Sequence, residues 1–261
     1  MNVSSFNFAI VRPPSKSCIH GLRAADTGAP DHETFIAQHE RYIDALRSQG
    51  LEIVELQALE AFPDSVFVED VALCLPQGAI LLRPGAPSRA GEVAASRDEL
   101  AHVHADRLHS LREGHVDGGD IMLTDRELII GLSSRTNEPG VRALEQVITP
   151  WGYRVRSGPT PEGVLHFKSD SSYLGDNTVL CTARLAATGV FDEYDVIETP
   201  SGEEGAANAL RINDVVLIPT GYPETHRVVS ERGFAVETID ISEAAKLDGG
   251  LSCMSLRLMR P

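Results

Sequence analysis

Only four cysteines occur in 261 residues, at positions 18, 74, 181 and 253. They are too few and too scattered for a disulfide framework, and no pair has the C-x-x-C spacing of a zinc or redox site. No apolar run is long enough to span a bilayer, and Met1 to Phe8 has no basic segment leading into an apolar one. A soluble, cytoplasmic protein in a reducing compartment is expected, with no membrane partner. Positive charge is also scarce: 23 Lys and Arg face 38 Asp and Glu, a net charge of −15. That balance argues against nucleic-acid binding, which needs basic patches. It suits steering of a cationic small molecule, and equally plain solubility.

Low-complexity segments and obvious linkers are absent too, so residues 1–261 read as one domain. What is present is a repeat. Asp70 opens the strand Val71–Leu75, a Pro-Gln-Gly turn follows, and Ala79–Leu82 is a second strand. Asp120 before Ile121–Leu123, Asp170 before Ser171–Leu174 and Asn208 before Leu210–Ile212 open further hairpins, each with a short polar turn and a second apolar strand. Helix-like segments follow at 87–93, 137–147 and 223–229, then third strands at 153–155 and 235–239. The first copy is degenerate, with a strand at 8–12 and a helix from about 35 to 50. Asp70, Asp120 and Asp170 stand 50 residues apart. Repeats of this period share one core along a solenoid or around an axis. Closure around an axis would gather the hairpin-opening polar residues at one central site.

Near the end stands Lys246-Leu247-Asp248-Gly249-Gly250-Leu251-Ser252-Cys253. The glycine pair is expected to take backbone angles closed to other residues and to set Cys253 on a tight turn. A thiol becomes a nucleophile when its surroundings remove its proton. His115-Val116-Asp117-Gly118-Gly119-Asp120 echoes the Asp-Gly-Gly, and Leu165-His166-Phe167-Lys168-Ser169-Asp170 opens the third hairpin. Of nine histidines, only His166 stands at the strand start of a repeat. Cys253, His166 and Asp117 can therefore supply nucleophile, acid/base and orienting carboxylate. No metal-ligand spacing is present; His102, His104 and His109 are expected on a surface helical run with no designed metal site.

Phe67-Val68-Glu69-Asp70, Arg83 to Arg89, Asp117-Gly118-Gly119-Asp120, Ser134-Arg135-Thr136-Asn137, Leu165 to Ser169 and Asp248 to Cys253 together resemble the signature blocks of dimethylarginine dimethylaminohydrolases, in the same order over nearly the whole chain. The resemblance implies the pentein fold, a five-fold pseudosymmetric α/β propeller of ββαβ modules, and hydrolysis of methylated arginines to citrulline without metal or organic cofactor. It implies that Cys253 attacks the guanidinium carbon, that His166 protonates the leaving amine and then activates water, and that Asp117 holds His166. It further implies Asp70 on the unsubstituted guanidine nitrogen with Glu69 and Asp64 nearby, and Arg89 and Arg135 on the α-carboxylate. Backbone groups near Leu22 and Leu247 would meet the α-amino group, and 15–30 would be a mobile lid. Arginine deiminases of the same superfamily carry a carboxylate two residues after the histidine; here that position is Lys168, which disfavours plain arginine. Cys18 and Cys74 are expected to be structural, with Cys18 exposed on the lid. A related guanidine hydrolase and a non-catalytic pentein binding module are the alternatives, and a homodimer stays open.

Overall fold

The structure is a computed structural model that describes residues 3–104 and 107–260. Its strands are β1 (Phe8–Val11), β2 (Glu52–Glu55), β3 (Ala72–Leu75), β4 (Gly78–Leu81), β5 (Leu108–Ser110), β6 (Ile121–Leu123), β7 (Leu128–Leu132) and β8 (Val155–Pro159). There follow β9 (Ser171–Gly175), β10 (Thr178–Cys181), β11 (Asp195–Glu198), β12 (Leu210–Ile212), β13 (Val215–Pro219), β14 (Ala235–Ile239) and β15 (Ser255–Leu258). The helices are α1 (His32–Ser48), α2 (Glu92–His104), α3 (Glu138–Ile148), α4 (Ala183–Ala186), α5 (Pro223–Glu231) and α6 (Ser242–Ala245). Among the described residues the strands form five three-stranded sheets, ordered β15-β1-β2, β3-β4-β5, β6-β7-β8, β9-β10-β11 and β12-β13-β14. In each, the middle strand pairs antiparallel with one neighbour and parallel with the other. The parallel partner lies beyond a crossover, which is the ββαβ unit expected from the repeats.

The degenerate first copy is completed from the far end of the chain: β15 is its missing hairpin strand, antiparallel to β1 with Phe8 opposite Leu258. The last hairpin-opening turn, which carries Cys253, therefore belongs to the first module, and pairing of the two chain ends closes the ring.

Side-chain alternation along the middle strands explains how one core joins five modules. Ile80 packs with Leu128 and Ile130 of the next module, whereas its neighbour Leu81 packs with Phe8 and Ile10 of the previous one. Ile129 turns to Val179 and Phe167 of the fourth module, Leu180 to Val216 of the fifth, and Leu217 back to Ala9 and Val11 of the first. Each apolar cluster thus sits at a junction between two modules. A fully buried side chain of this kind contributes about 1.5–3 kcal/mol, so a module taken alone would expose both apolar faces. The outer helices seal the ring. Asp31 caps α1 by accepting the Thr34 N–H at 2.8 Å, and Phe35, His39, Tyr42 and Leu46 form its buried stripe.

A short 3-10 turn precedes the inner strand of every module: Val68–Val71, Gly118–Asp120, Phe167–Ser169, Glu204–Ala207 and Ser252–Met254. Side chains at these turns bond across every junction. Asp70 Oδ1 accepts the Gly119 N–H (2.7 Å) and Asp120 Oδ1 the Phe167 N–H (2.8 Å). Asn208 donates to the Lys168 carbonyl (2.8 Å) and accepts the Ser252 N–H (3.0 Å), and Ser252 Oγ donates to Glu69 (2.9 Å). The ring closes in hydrogen bonds as well as in apolar contacts.

Two expectations are corrected. Cys18 is completely buried in the core rather than exposed. The three histidines do not share a surface helix. His102 and His104 end α2, His104 is buried with its Nε2 3.5 Å from Cys74 Sγ, and His109 lies in β5 with its ring 5.1 Å from that of Trp151.

Replacing Asn208 with Ala should lower unfolding free energy by about 2–4 kcal/mol, because it orphans a part-buried carbonyl and a buried N–H, each costing up to about 3 kcal/mol. Urea unfolding measures it, and an unshifted midpoint would show that this junction carries no load.

Candidate active site

The five turns bring their polar residues to the middle of the ring, and one cavity is walled by Cys253, His166, Asp70, Arg89, Arg135 and Asp64, with Leu22 and Leu247 at its edge. Cys253 is 8 % exposed, and its Sγ accepts the Gly250 N–H at 3.4 Å. The strained backbone of this loop falls on Asp248, at φ 56°, and not on the glycines expected to take it. Gly249 and Gly250 are needed for close approach instead. A Cβ on Gly249 would lie 2.3 Å from the Phe67 ring, and one on Gly250 would lie 2.3 Å from the Asn208 side chain.

His166 precedes its 3-10 turn with extended backbone, and its Nε2 lies 2.9 Å from Asp117 Oδ2. Asp117 is wholly buried, and its other oxygen accepts the Gly85 N–H at 2.7 Å. The imidazole lies against Gly119, where a Cβ would come within 2.6 Å of Nδ1. Burial alone would favour neutral imidazole, but Asp70, Asp117 and Asp120 outweigh it and raise His166 to about 9. Burial pushes the Cys253 thiol up to about 12, and the carboxylates of Glu69 and Asp70 add to that. Both shifts run the same way: they favour the protonated imidazole and the neutral thiol.

Asp70 is buried, which would raise its pKa, but His166, Arg89 and the Gly119 N–H hold it below the usual carboxylate value. It ion-pairs with Arg89, which does not stand open as a carboxylate fork. The Arg89 Nε donates to Glu92 at 3.0 Å, and Nη2 donates to Glu92 (2.7 Å), to the Phe67 carbonyl (2.9 Å) and to that of Asp64 (3.2 Å). Arg135 is half-buried and forms no ion pair among the described residues. Asp64, raised by burial, accepts the Leu22 N–H at 2.8 Å. Glu69 does not line this cavity: it meets Lys168 Nζ at 2.5 Å and Arg257 at 2.9 Å. That pairing also draws Lys168 out of the cavity wall.

The segment expected as a lid lies over the site on three carboxylates. Glu60 accepts the Lys16 and Ser17 N–H groups, Asp64 that of Leu22, and Asp248 that of Ala24 at 2.5 Å. Asp70, Asp117 and His166 offer ligand atoms within 4.8 Å of one another, close enough to enclose a cation. Those carboxylates already accept from Arg89, Gly85, Gly119 and His166, so the cluster is built around protein donors. The sequence reading missed Glu92, which neutralises Arg89, and the packing of Phe67 on the cysteine loop. It also assigned Asp120 no role, although the 50-residue spacing singled it out.

A family model for eukaryotic N,N-dimethylarginine dimethylhydrolase matches residues 27–169. The N(G),N(G)-dimethylarginine dimethylaminohydrolase of Pseudomonas aeruginosa is 38 % identical over 255 residues, covering 97 % of this chain and 99 % of that one. The Streptomyces coelicolor enzyme of the same name is 32 % identical over 251 residues, covering 96 % of each. A solved Pseudomonas structure, a cysteine-to-serine variant with citrulline, superposes with a TM-score of 0.94 at 36 % identity over 97 % of this chain and all of that one. The N-terminal domain of a cyanobacterial arginine dihydrolase shares the fold at 18 % identity, with a TM-score of 0.82 over 97 % of this chain and 98 % of that domain. With full-length relatives at this identity, and with cysteine, histidine and carboxylates meeting in one pocket, this chain belongs to the dimethylarginine dimethylaminohydrolase family.

Proposed function

We propose that the protein hydrolyses Nω-methylated arginines to citrulline and dimethylamine or methylamine through a covalent intermediate on Cys253. One observation carries the reading: the Cys253 thiol, the His166 imidazole and the Asp70 carboxylate line one cavity together with Arg135, an arrangement that suits a cationic amino acid. The Pseudomonas relative's structures with citrulline and with an S-methyl-L-thiocitrulline adduct support it.

The chemistry follows from the charges. A guanidinium seated against Asp70 places positive charge beside Cys253, which lowers the thiol pKa and lets its proton leave to solvent. The thiolate adds to the guanidinium carbon. His166 gives its proton to the dimethylated nitrogen, the amine departs, and a cationic thiouronium remains on sulfur. Neutral His166 then takes one proton from water as that water adds to the carbon, and collapse passes the remaining hydroxyl proton to the departing sulfur, which restores the thiol and yields citrulline. Asp117 keeps the imidazole oriented through both proton transfers. Arg135 takes the α-carboxylate, while Arg89, enclosed by Asp70 and Glu92, holds Asp70 and closes that end of the cavity. Leu22, Leu247 and the segment over the site shut out water. All four cysteines are free thiols, as suits a reducing cytoplasm, and no helix among the described residues is long and apolar enough to cross a membrane.

Citrulline release from asymmetric dimethylarginine tests the assignment. Wild-type protein should turn it over at least about tenfold faster than arginine, whose extra N–H donors would be buried without acceptors at about 1–3 kcal/mol. The Cys253→Ser variant should fold and release none. Equal rates on both substrates would favour a deiminase, and a residual rate in Cys253→Ser within tenfold of wild type would remove that residue as nucleophile.

Because the thiol sheds its proton to solvent while His166, raised to about 9, must keep its own, kcat/KM should rise with pH and stop rising at about 9. A rate still climbing at pH 10 contradicts that role.

Arg135→Ala should lower kcat/KM by about 3 kcal/mol, near two orders of magnitude, mostly through KM. If Arg89→Ala alone shows that pattern and Arg135→Ala leaves KM unchanged, the carboxylate lies elsewhere.

A further inference from the structure

We infer that Asp120 is a positioning residue of this site: it ties the His166 turn to the turn that carries Arg135, and it holds an uncompensated negative charge beside the imidazole. The inference rests on the reading of the site given above and concerns a carboxylate that touches no substrate.

Asp120 is completely buried at the end of the turn Gly118–Asp120. Its Oδ1 accepts the Phe167 N–H at 2.8 Å, one residue beyond the histidine, and its Oδ2 meets Ser133 Oγ at 2.6 Å. Ser133 Oγ itself accepts two backbone N–H groups, from Arg135 at 2.9 Å and Thr136 at 3.2 Å. Both hydroxyl lone pairs are thus occupied, so its single hydrogen must point at Asp120. Neither bond calls on Asp120 to donate, which is the geometry of a carboxylate. Burial raises the Asp120 pKa above the usual carboxylate value, opposed by His166, by the Ser133 and Thr136 hydroxyls and by the Phe167 N–H.

The same four-residue turn is fastened at its other end, where Thr136 Oγ1 accepts the Asp117 N–H at 3.1 Å. Segment 117–120 therefore grips the Arg135 turn through two hydroxyls and the His166 turn through two carboxylates. The acid/base and the carboxylate-binding arginine are set by one short piece of chain.

The charged groups around the imidazole divide by what offsets them. Asp70 faces it from the Val68–Val71 turn but shares its charge with Arg89. Asp117 touches the ring directly. Cys253, from its own turn, is neutral at rest, and Lys168, on the histidine's turn, is held by Glu69. Asp64 and Arg135 lie in the cavity wall and oppose each other in sign. Asp120, like Asp117, has no Arg or Lys ion pair among the described residues; its donors are the Phe167 N–H and the Ser133 hydroxyl, so its field falls on the imidazole.

Asp120→Asn keeps an acceptor for the Phe167 N–H and removes the charge. The alkaline limb for asymmetric dimethylarginine, where kcat/KM stops rising, and the NMR titration of the His166 imidazole should both move down by about one pH unit or more. Ser133→Ala keeps the charge and cuts the link to Arg135, so KM should rise about five- to tenfold with the limb unmoved. A purely structural role would shift neither quantity selectively. An Asp120→Asn limb and titration that stay in place overturn the inference, as does a Ser133→Ala variant that moves the limb or leaves KM unchanged. Should Asp120→Asn not fold, a wild-type His166 titrating near the ordinary 6.5 overturns it, and a raised titration with the Ser133→Ala KM effect supports it. Wild-type protein that releases no citrulline would sink the proposed function, while the imidazole titrations of the two proteins would still decide the place of Asp120.

Discussion

Hydrogen bonds that cross from one module to the next at the inner turns are what the rest of this structure depends on. A sheet of three short strands buries too little by itself, so stability comes from the five apolar junctions. Apolar packing is non-directional, however, and would tolerate some sliding of one module on another. Asp70 on the Gly119 N–H, Asp120 on the Phe167 N–H, and Asn208 on the Lys168 carbonyl and the Ser252 N–H remove that freedom. These buried groups would be costly unpaired, which makes the register between modules specific. The same residues border the reactive ones, so the fold and the site are held by a single set of bonds.

Placing many carboxylates around one cavity has a cost, and the structure shows how it is met. Asp64, Asp70, Glu92, Asp117 and Asp120 are all buried. Arg89 neutralises two of them, backbone N–H groups solvate four, and the His166 imidazolium carries much of the remainder. What is left is a net demand for a cation. In the proposed reaction a guanidinium supplies it, and its arrival would change the thiol from inert to nucleophilic. Binding and activation thus draw on the same electrostatic imbalance, which limits thiol chemistry with uncharged compounds.

Several of these features were legible in the chain. Hairpin grammar gave four of the five modules, and helical segments were read at about 35–50 and 137–147, where α1 and α3 lie. Cys253, His166 and Asp117 stood out because each opens a repeat. Other features had no local signature. The first module looked degenerate because its missing strand lies some 240 residues away, and nothing near Phe8 announces Leu258. The paired glycines before Cys253 looked like a device for unusual angles, whereas their reason is the Phe67 ring and the Asn208 side chain, residues remote in sequence. Glu92 looked like an ordinary first-turn acid of a helix, and only folding brings it under Arg89.

The sequence by itself determined the class of chemistry and the type of module, because both depend on residue identity and local period: a thiol, an imidazole and carboxylates at equivalent places in a repeat. Tertiary structure decided which charges remain available. Arg89 and Arg135 are the same residue type in comparable blocks, yet one is enclosed by two carboxylates and the other is not. Glu69 and Asp70 are adjacent, yet one turns to Lys168 and Arg257 and the other to the cavity. The physical reason is that an ion pair is a property of distance and burial, and both are set by how five modules meet around a ring rather than by position along the chain.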